Sequence, residues 1–86
     1  MKVCIKLFGA LREAHASGTI ELEVPAQSTI AMLREALVAY LAEHAPQVST
    51  GLVQRSAFAS DEEILHNDRT LPDDGRLAVL PPVSGG

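Results

Sequence analysis

The chain has a single cysteine, Cys4, among its 86 residues. One thiol builds no internal disulfide, no zinc cluster and no four-cysteine iron–sulfur site, so a ferredoxin is excluded. Basic residues are also few, seven Lys and Arg against eleven Asp and Glu, for a formal charge of −4. The acids Glu62, Glu63, Asp68, Asp73 and Asp74 face no basic stripe, and no nucleic-acid partner is expected. They read as a solvated surface that also suits approach to a basic partner. Long apolar runs are missing: the longest, Ala36 to Ala42, is far too short to span a bilayer, and the first residues form a strand pattern, not a signal core. A soluble cytoplasmic protein without a membrane partner is expected. Phosphate-cradling glycine patterns are absent, and Cys4, His15, His44 and His66 stand in no catalytic motif or metal-pair spacing. The chain is expected to bind no metal or cofactor alone and to catalyse nothing unaided.

What is present is the pattern of one small domain, with about a dozen Val, Ile and Leu side chains able to share a core at roughly 1.5–3 kcal/mol each. Val3, Ile5 and Leu7 alternate with Lys2, Cys4 and Lys6, the period of a strand with one buried face. After Gly9, Leu11 to Ala14 fits a helical turn. Ile20, Leu22 and Val24 then alternate as a second strand, closed by Pro25 and connected briefly enough to pair antiparallel with the first. Ser28 or Thr29 is placed to cap a helix whose inner face carries Ile30, Leu33, Leu37, Tyr40 and Leu41, with Arg34, Glu35 and Glu43 outside it. Ala45-Pro46 ends that helix. Residues 47–55 give no clear pattern. Short strands are predicted around Phe58 and at Glu63 to Leu65, a turn at Pro72 to Gly75, and a last strand in which Leu77 and Val79 alternate with Ala78 and Leu80. This order predicts an α+β fold, a sheet with one main helix packed on one face. Cys4, Lys6, Phe8, Ala78 and Leu80 then lie on the other face, where Phe8 and Leu80 form a candidate docking patch.

The body is assigned to residues 1–80 and an extended tail to residues 81–86, Pro81-Pro82-Val83-Ser84-Gly85-Gly86. The two prolines lack amide hydrogens and stop sheet pairing at Leu80, while Gly85 and Gly86 are slim enough to thread a narrow channel. With no catalytic group inside the body, the reactive group is expected to be the α-carboxylate of Gly86, ionised at neutral pH. A carboxylate is a poor electrophile. Joined to AMP as a mixed anhydride, it becomes open to displacement by sulfide or by an amine.

The opening strand followed by Phe8-x-x-Leu11-Arg12-Glu13, the strand ending at Val24-Pro25, the single helix, the Leu71 to Gly75 turn and Leu80-Pro81-Pro82-Val83-Ser84-Gly85-Gly86 resemble the small, MoaD-like subunit of molybdopterin synthase, among the ubiquitin-like β-grasp sulfur carriers. Departures are Ala59-Ser60-Asp61-Glu62, where that family often has Val-Asn, and Leu80, where it has an aromatic residue. The resemblance implies a ubiquitin-like β-grasp with a mixed sheet. It implies adenylation of Gly86 by an E1-like (MoeB-like) adenylyltransferase that uses ATP, then conversion to a thiocarboxylate. It further implies that Pro81, Pro82, Val83, Ser84 and Gly85 carry this end into a large, MoaE-like subunit, where sulfur passes to a cyclic pyranopterin. Phe8, Leu11, Arg12 and Leu80 are the expected partner-facing residues. Carriers for thiazole, cysteine or transfer-RNA thiolation, a ubiquitin-like protein modifier, and an interaction domain with an inert tail are the competing readings.

Overall fold

The computed structural model describes residues 1–82. Alternation makes Lys2–Leu7 (β1) a strand whose Val3, Ile5 and Leu7 are buried. A 3₁₀ turn, Gly9–Ala14, leads to Thr19–Glu23 (β2), and Ile30–His44 forms the main helix (α1). A short helix, Thr50–Arg55 (α2), precedes Ala57–Ala59 (β3), Ile64–Leu65 (β4) and Arg76–Leu80 (β5). Among the described residues the strands form one sheet in the order β2-β1-β5-β3-β4. β1 and β5 run parallel at its centre, in register Cys4↔Arg76 to Leu7↔Val79, and the other pairs are antiparallel. This is the mixed β-grasp sheet expected.

α1 covers one face through Ile30, Leu33, Leu37 and Leu41, all fully buried, against Val3, Ile5, Phe58 and Val79. Of the two candidate caps, Thr29 does the capping, its hydroxyl accepting from Met32 N at 3.3 Å. Ser28 is buried and donates instead to the Pro25 carbonyl at 2.6 Å. The next amides of the helix entrance donate across the chain, Ile30 to Arg69 O and Ala31 to Asn67 O. Donors left free by helix geometry are thereby satisfied.

The segment without a readable pattern, 47–55, contains α2, whose buried side chain is Val53. Arg34 holds it. From α1 its Nη1 donates to the carbonyls of Val53 (2.9 Å) and Ser56 (2.6 Å), and Nε and Nη2 donate to Asn67 Oδ1 at 3.2 and 3.0 Å. The same guanidinium lies 4.8 Å from the Phe58 ring centroid, a cation–π distance. Partial burial lowers the Arg34 pKa by desolvation. Expected on the outer helix surface, Arg34 instead caps the last carbonyls of α2 and ties it to β3, because a long guanidinium reaches several acceptors at once.

Gly75 fixes the last turn. Its φ of 66° is left-handed, its amide donates to Pro72 O at 3.0 Å, and its carbonyl accepts from Cys4 N at 2.7 Å. A Cβ there would sit 2.5 Å from the Lys2 carbonyl oxygen, so only glycine lets β5 start beside β1.

Candidate functional site: the outer sheet face at the root of the tail

The outer face follows from strand parity. The registers place Lys6 beside both Thr19 and Ala78, Ala78 beside Ala59, and Ala59 beside Ile64. A second row runs from Leu80 to Ala57. Small side chains leave the centre low, and Cys4, Lys6, Ala59, Arg76 and Ala78 help line a hollow of about 380 Å³. Ile64, 48% exposed, follows on β4 as the register partner of Ala59.

The pair Leu7↔Val79 brings the following residues, Phe8 and Leu80, to the same end of the sheet. Phe8 is 37% exposed and Leu80 half-buried. The Lys6 ammonium stands 5.4 Å from the Phe8 ring centroid, which keeps that ring on the outer face. Sheet pairing stops at Leu80, and Pro81 lies against Gly9 so closely that a Cβ on Gly9 would be 2.8 Å from Pro81 Cγ. Gly9 itself has φ 59°, in the left-handed region. The first tail residue thus leaves the body over a glycine, flanked by two apolar side chains.

Of the residues expected to face a partner, Phe8 and Leu80 meet at the tail root. Arg12 is exposed on the neighbouring turn, with its Nε 3.5 Å from where a Cβ of Gly18 would stand. Leu11 is a correction: it is fully buried and belongs to the core, because the 3₁₀ turn points it inward beneath the sheet's end. Pro81 is half-buried and Pro82 exposed. Val83, Ser84, Gly85 and Gly86, the rest of the expected tail and its reactive end, lie outside the described residues. The sequence reading missed Gly9, Ala57 and Ile64 at this face. For Gly9 a signal was present, a glycine two residues past the end of a strand; Ala57 and Ile64 sit in strands too short for alternation to mark.

Elsewhere, Ser17 Oγ lies 2.9 Å from His15 Nδ1 and also 3.0 Å from Thr19 Oγ1. The contact is exposed, and among the described residues His15 pairs with no carboxylate to orient it, so it lacks the parts of a nucleophilic site. Among the described residues no three His, Cys, Asp or Glu side chains stand together to hold a metal ion, and no helix is long and apolar enough to cross a membrane. The geometry at the tail root suits presentation: a braced strand end beside the exposed Phe8 ring and a shallow hollow that also carries Lys6, Asp61 and Arg76.

Comparison with solved structures finds the same architecture in SAMP1 from Haloferax volcanii, 25% identical with a TM-score of 0.70 over the full length of both chains. The HVO 2177 protein of the same organism is 24% identical over all of this chain and 87% of its own, with a TM-score of 0.67. At3g01050, a ubiquitin-fold protein from Arabidopsis thaliana, shares the fold at 16% identity and a TM-score of 0.55, over 98% of this chain and 89% of that one. No curated protein sequence matches. The ThiS family model matches residues 5–86, spanning the sheet, the helix and the diglycine end, and the chain therefore belongs to the ThiS family, with its ubiquitin-like sulfur-carrier fold.

Proposed function

We propose that the chain is the sulfur-carrying subunit of molybdopterin synthase. The observation that carries this reading is a family match running through Gly86, on a body whose last strand ends at Leu80, on the side of the sheet where Phe8 follows β1. The resemblance of Phe8-x-x-Leu11-Arg12-Glu13 and of Leu80-Pro81-Pro82-Val83-Ser84-Gly85-Gly86 supplies the choice of acceptor. In this reading an E1-like enzyme lets a Gly86 carboxylate oxygen attack the α-phosphorus of ATP, and pyrophosphate leaves. Sulfide equivalents then attack the acyl carbon, AMP departs with the C–O bonding pair, and a thiocarboxylate remains. The outer face docks on a large subunit through Phe8 and Leu80, with Arg12 at its margin, and Val83 adds an apolar side chain from the tail. The tail enters that subunit's active site and gives its sulfur to a cyclic pyranopterin. Two such deliveries make one dithiolene.

The body's contribution is positional. Binding the root of the tail on a fixed surface turns delivery of the thiocarboxylate into a step within one complex, which lowers the entropic part of the barrier. The test is reconstitution: thiocarboxylated chain, a MoaE-like subunit and the pyranopterin precursor are mixed, and the dithiolene product is measured. Product formed in proportion to thiocarboxylate supports the reading. Absence of product, with sulfur passing instead to a thiazole, cysteine or transfer-RNA acceptor, assigns the carrier elsewhere.

A second reading has its own support in the ubiquitin fold and the full-length likeness to SAMP1. The same activated Gly86 would be attacked by a lysine amine of another protein, leaving an isopeptide. Conjugates that disappear when Gly86 is deleted would favour it.

A further inference from the structure

Lys2 and Lys6 are the only lysines of the chain. Both lie on β1 and both are exposed. With the amino group of Met1 the chain therefore offers three amines, and two of them are engaged. The Met1 ammonium lies 2.9 Å from Glu23 Oε2 and donates to Val24 O at 2.8 Å, and Lys2 Nζ lies 3.9 Å from Glu21 Oε1. Among the described residues Lys6 pairs with no carboxylate; its ammonium rests over the edge of the apolar patch, 5.4 Å from the Phe8 ring centroid.

Position separates the two lysines further. Lys6 is the register partner of Ala78, two residues before the end of β5, so it sits one strand spacing, about 4.8 Å, from the strand that becomes the tail. Lys2 lies four residues back along β1, roughly 13 Å farther from the root. Both lysines share the outer face by strand parity, and Lys6 is the side-chain amine at its tail-root end.

We propose that Lys6 is an acylation site, which takes the activated carboxyl end of a second copy of this chain. The proposal rests on the reading that Gly86 becomes activated. The unprotonated Nζ attacks the Gly86 acyl carbon of the other copy; the N–C bond forms and the bond to the leaving AMP breaks. AMP departs with the bonding pair, and the nitrogen gives one proton to water. No oxidant or reductant is involved. The fixed φ of Pro81 and Pro82 opposes the tight turn that ring closure within one copy would need, which favours a second copy. The product exchanges a cation for a neutral amide and carries a whole folded chain beside Phe8 and Leu80. A copy acylated at Lys6 is thereby barred from docking through the outer face. Linkage and sulfur delivery exclude each other.

The test supplies the activated end chemically. Full-length chain is prepared as its Gly86 thioester with 2-mercaptoethanesulfonate, by intein cleavage, and mixed with full-length 15N-labelled chain bearing a free carboxylate. Products are read by intact mass and peptide mapping. The expected result is a mixed-label dimer linked at Lys6 in about tenfold excess over Lys2 and the N-terminus, equivalent to ~1.4 kcal/mol of preference. Lys6→Arg, which keeps the charge and an unchanged thermal melt, should lower the dimer yield by about the same factor. Lys2→Arg should leave it unaltered. Linkage spread evenly over the three amines, a cyclised monomer, or hydrolysis without dimer would overturn the proposal. Because the thioester bypasses enzymatic activation, failure of an E1-like enzyme to adenylate Gly86 is a separate result that removes the functional reading, not this reactivity.

Discussion

Replacing Gly9 with alanine separates the stability of the body from the aim of its tail. The backbone there has φ 59°, which costs an L-residue with a Cβ about 1–2 kcal/mol. In a domain of this size that corresponds to a fall in Tm of roughly 5–15 °C. The new Cβ would also stand 2.8 Å from Pro81 Cγ. Carbon atoms rest at about 3.5–4.0 Å, so the ring must retreat by about 1 Å. Pro81 is half-buried and follows the last paired residue, so it can yield without opening the core. The displacement passes to everything beyond it. A misplacement of that size costs up to about a hundredfold where reacting groups must be aligned. The assay is a double-mutant cycle of Gly9→Ala and Pro81→Ala, read by thermal unfolding and by the rate of pyrophosphate release with an E1-like enzyme. Pro81→Ala removes the Cγ that collides. The double variant should therefore recover rate relative to Gly9→Ala while keeping most of its lowered Tm. A Gly9→Ala chain adenylated at the parental rate, or a rate defect that Pro81→Ala leaves untouched, would refute the claim that this contact aims the tail.

Arg34→Met should cost roughly 2–3 kcal/mol in urea unfolding, because it strips charge-assisted bonds from the Val53 and Ser56 carbonyls and from Asn67; an unchanged midpoint would show that α2 is held by packing alone. Gly75→Ala should destabilise by at least about 2 kcal/mol, since the Lys2 carbonyl that its Cβ meets is backbone in the central strand and cannot swing aside; a calorimetric Tm equal to the parent's would contradict the close approach. Leu80→Asp should leave the free domain folded, its side chain being outside the core, and weaken binding to a MoaE-like subunit by about 2 kcal/mol or more in titration calorimetry. Undiminished affinity would move the interface off this face.

Much of the fold was legible because its long elements carry their own periodicity. Val3, Ile5 and Leu7 alternate cleanly, Ile30 to Leu41 repeats at helical spacing, and Pro72 to Gly75 closes a turn through a left-handed glycine. α2 was not legible: it buries Val53 and is held by Arg34 from a different helix, a contact no local pattern contains. The parallel pairing of β1 with β5 joins opposite ends of the chain and is likewise a long-range outcome. At the site, parity along β1 and β5 placed Phe8 and Leu80 on the outer face. Leu11 was expected to face a partner through the family resemblance, not through parity, and the 3₁₀ turn buries it instead. The Gly9–Pro81 contact depends on a through-space distance between residues far apart in sequence.

The central claim is that the chain works through its last carboxyl group. Its most direct test is intact mass spectrometry of the protein isolated from its own cells, beside the same protein with Gly86 deleted. The account predicts a fraction of the intact chain heavier by the difference between one sulfur and one oxygen. Fragmentation should place that difference on Gly86, and the deleted form should lack it. A terminus that carries oxygen alone, in cells actively making the sulfur-containing product, would contradict it.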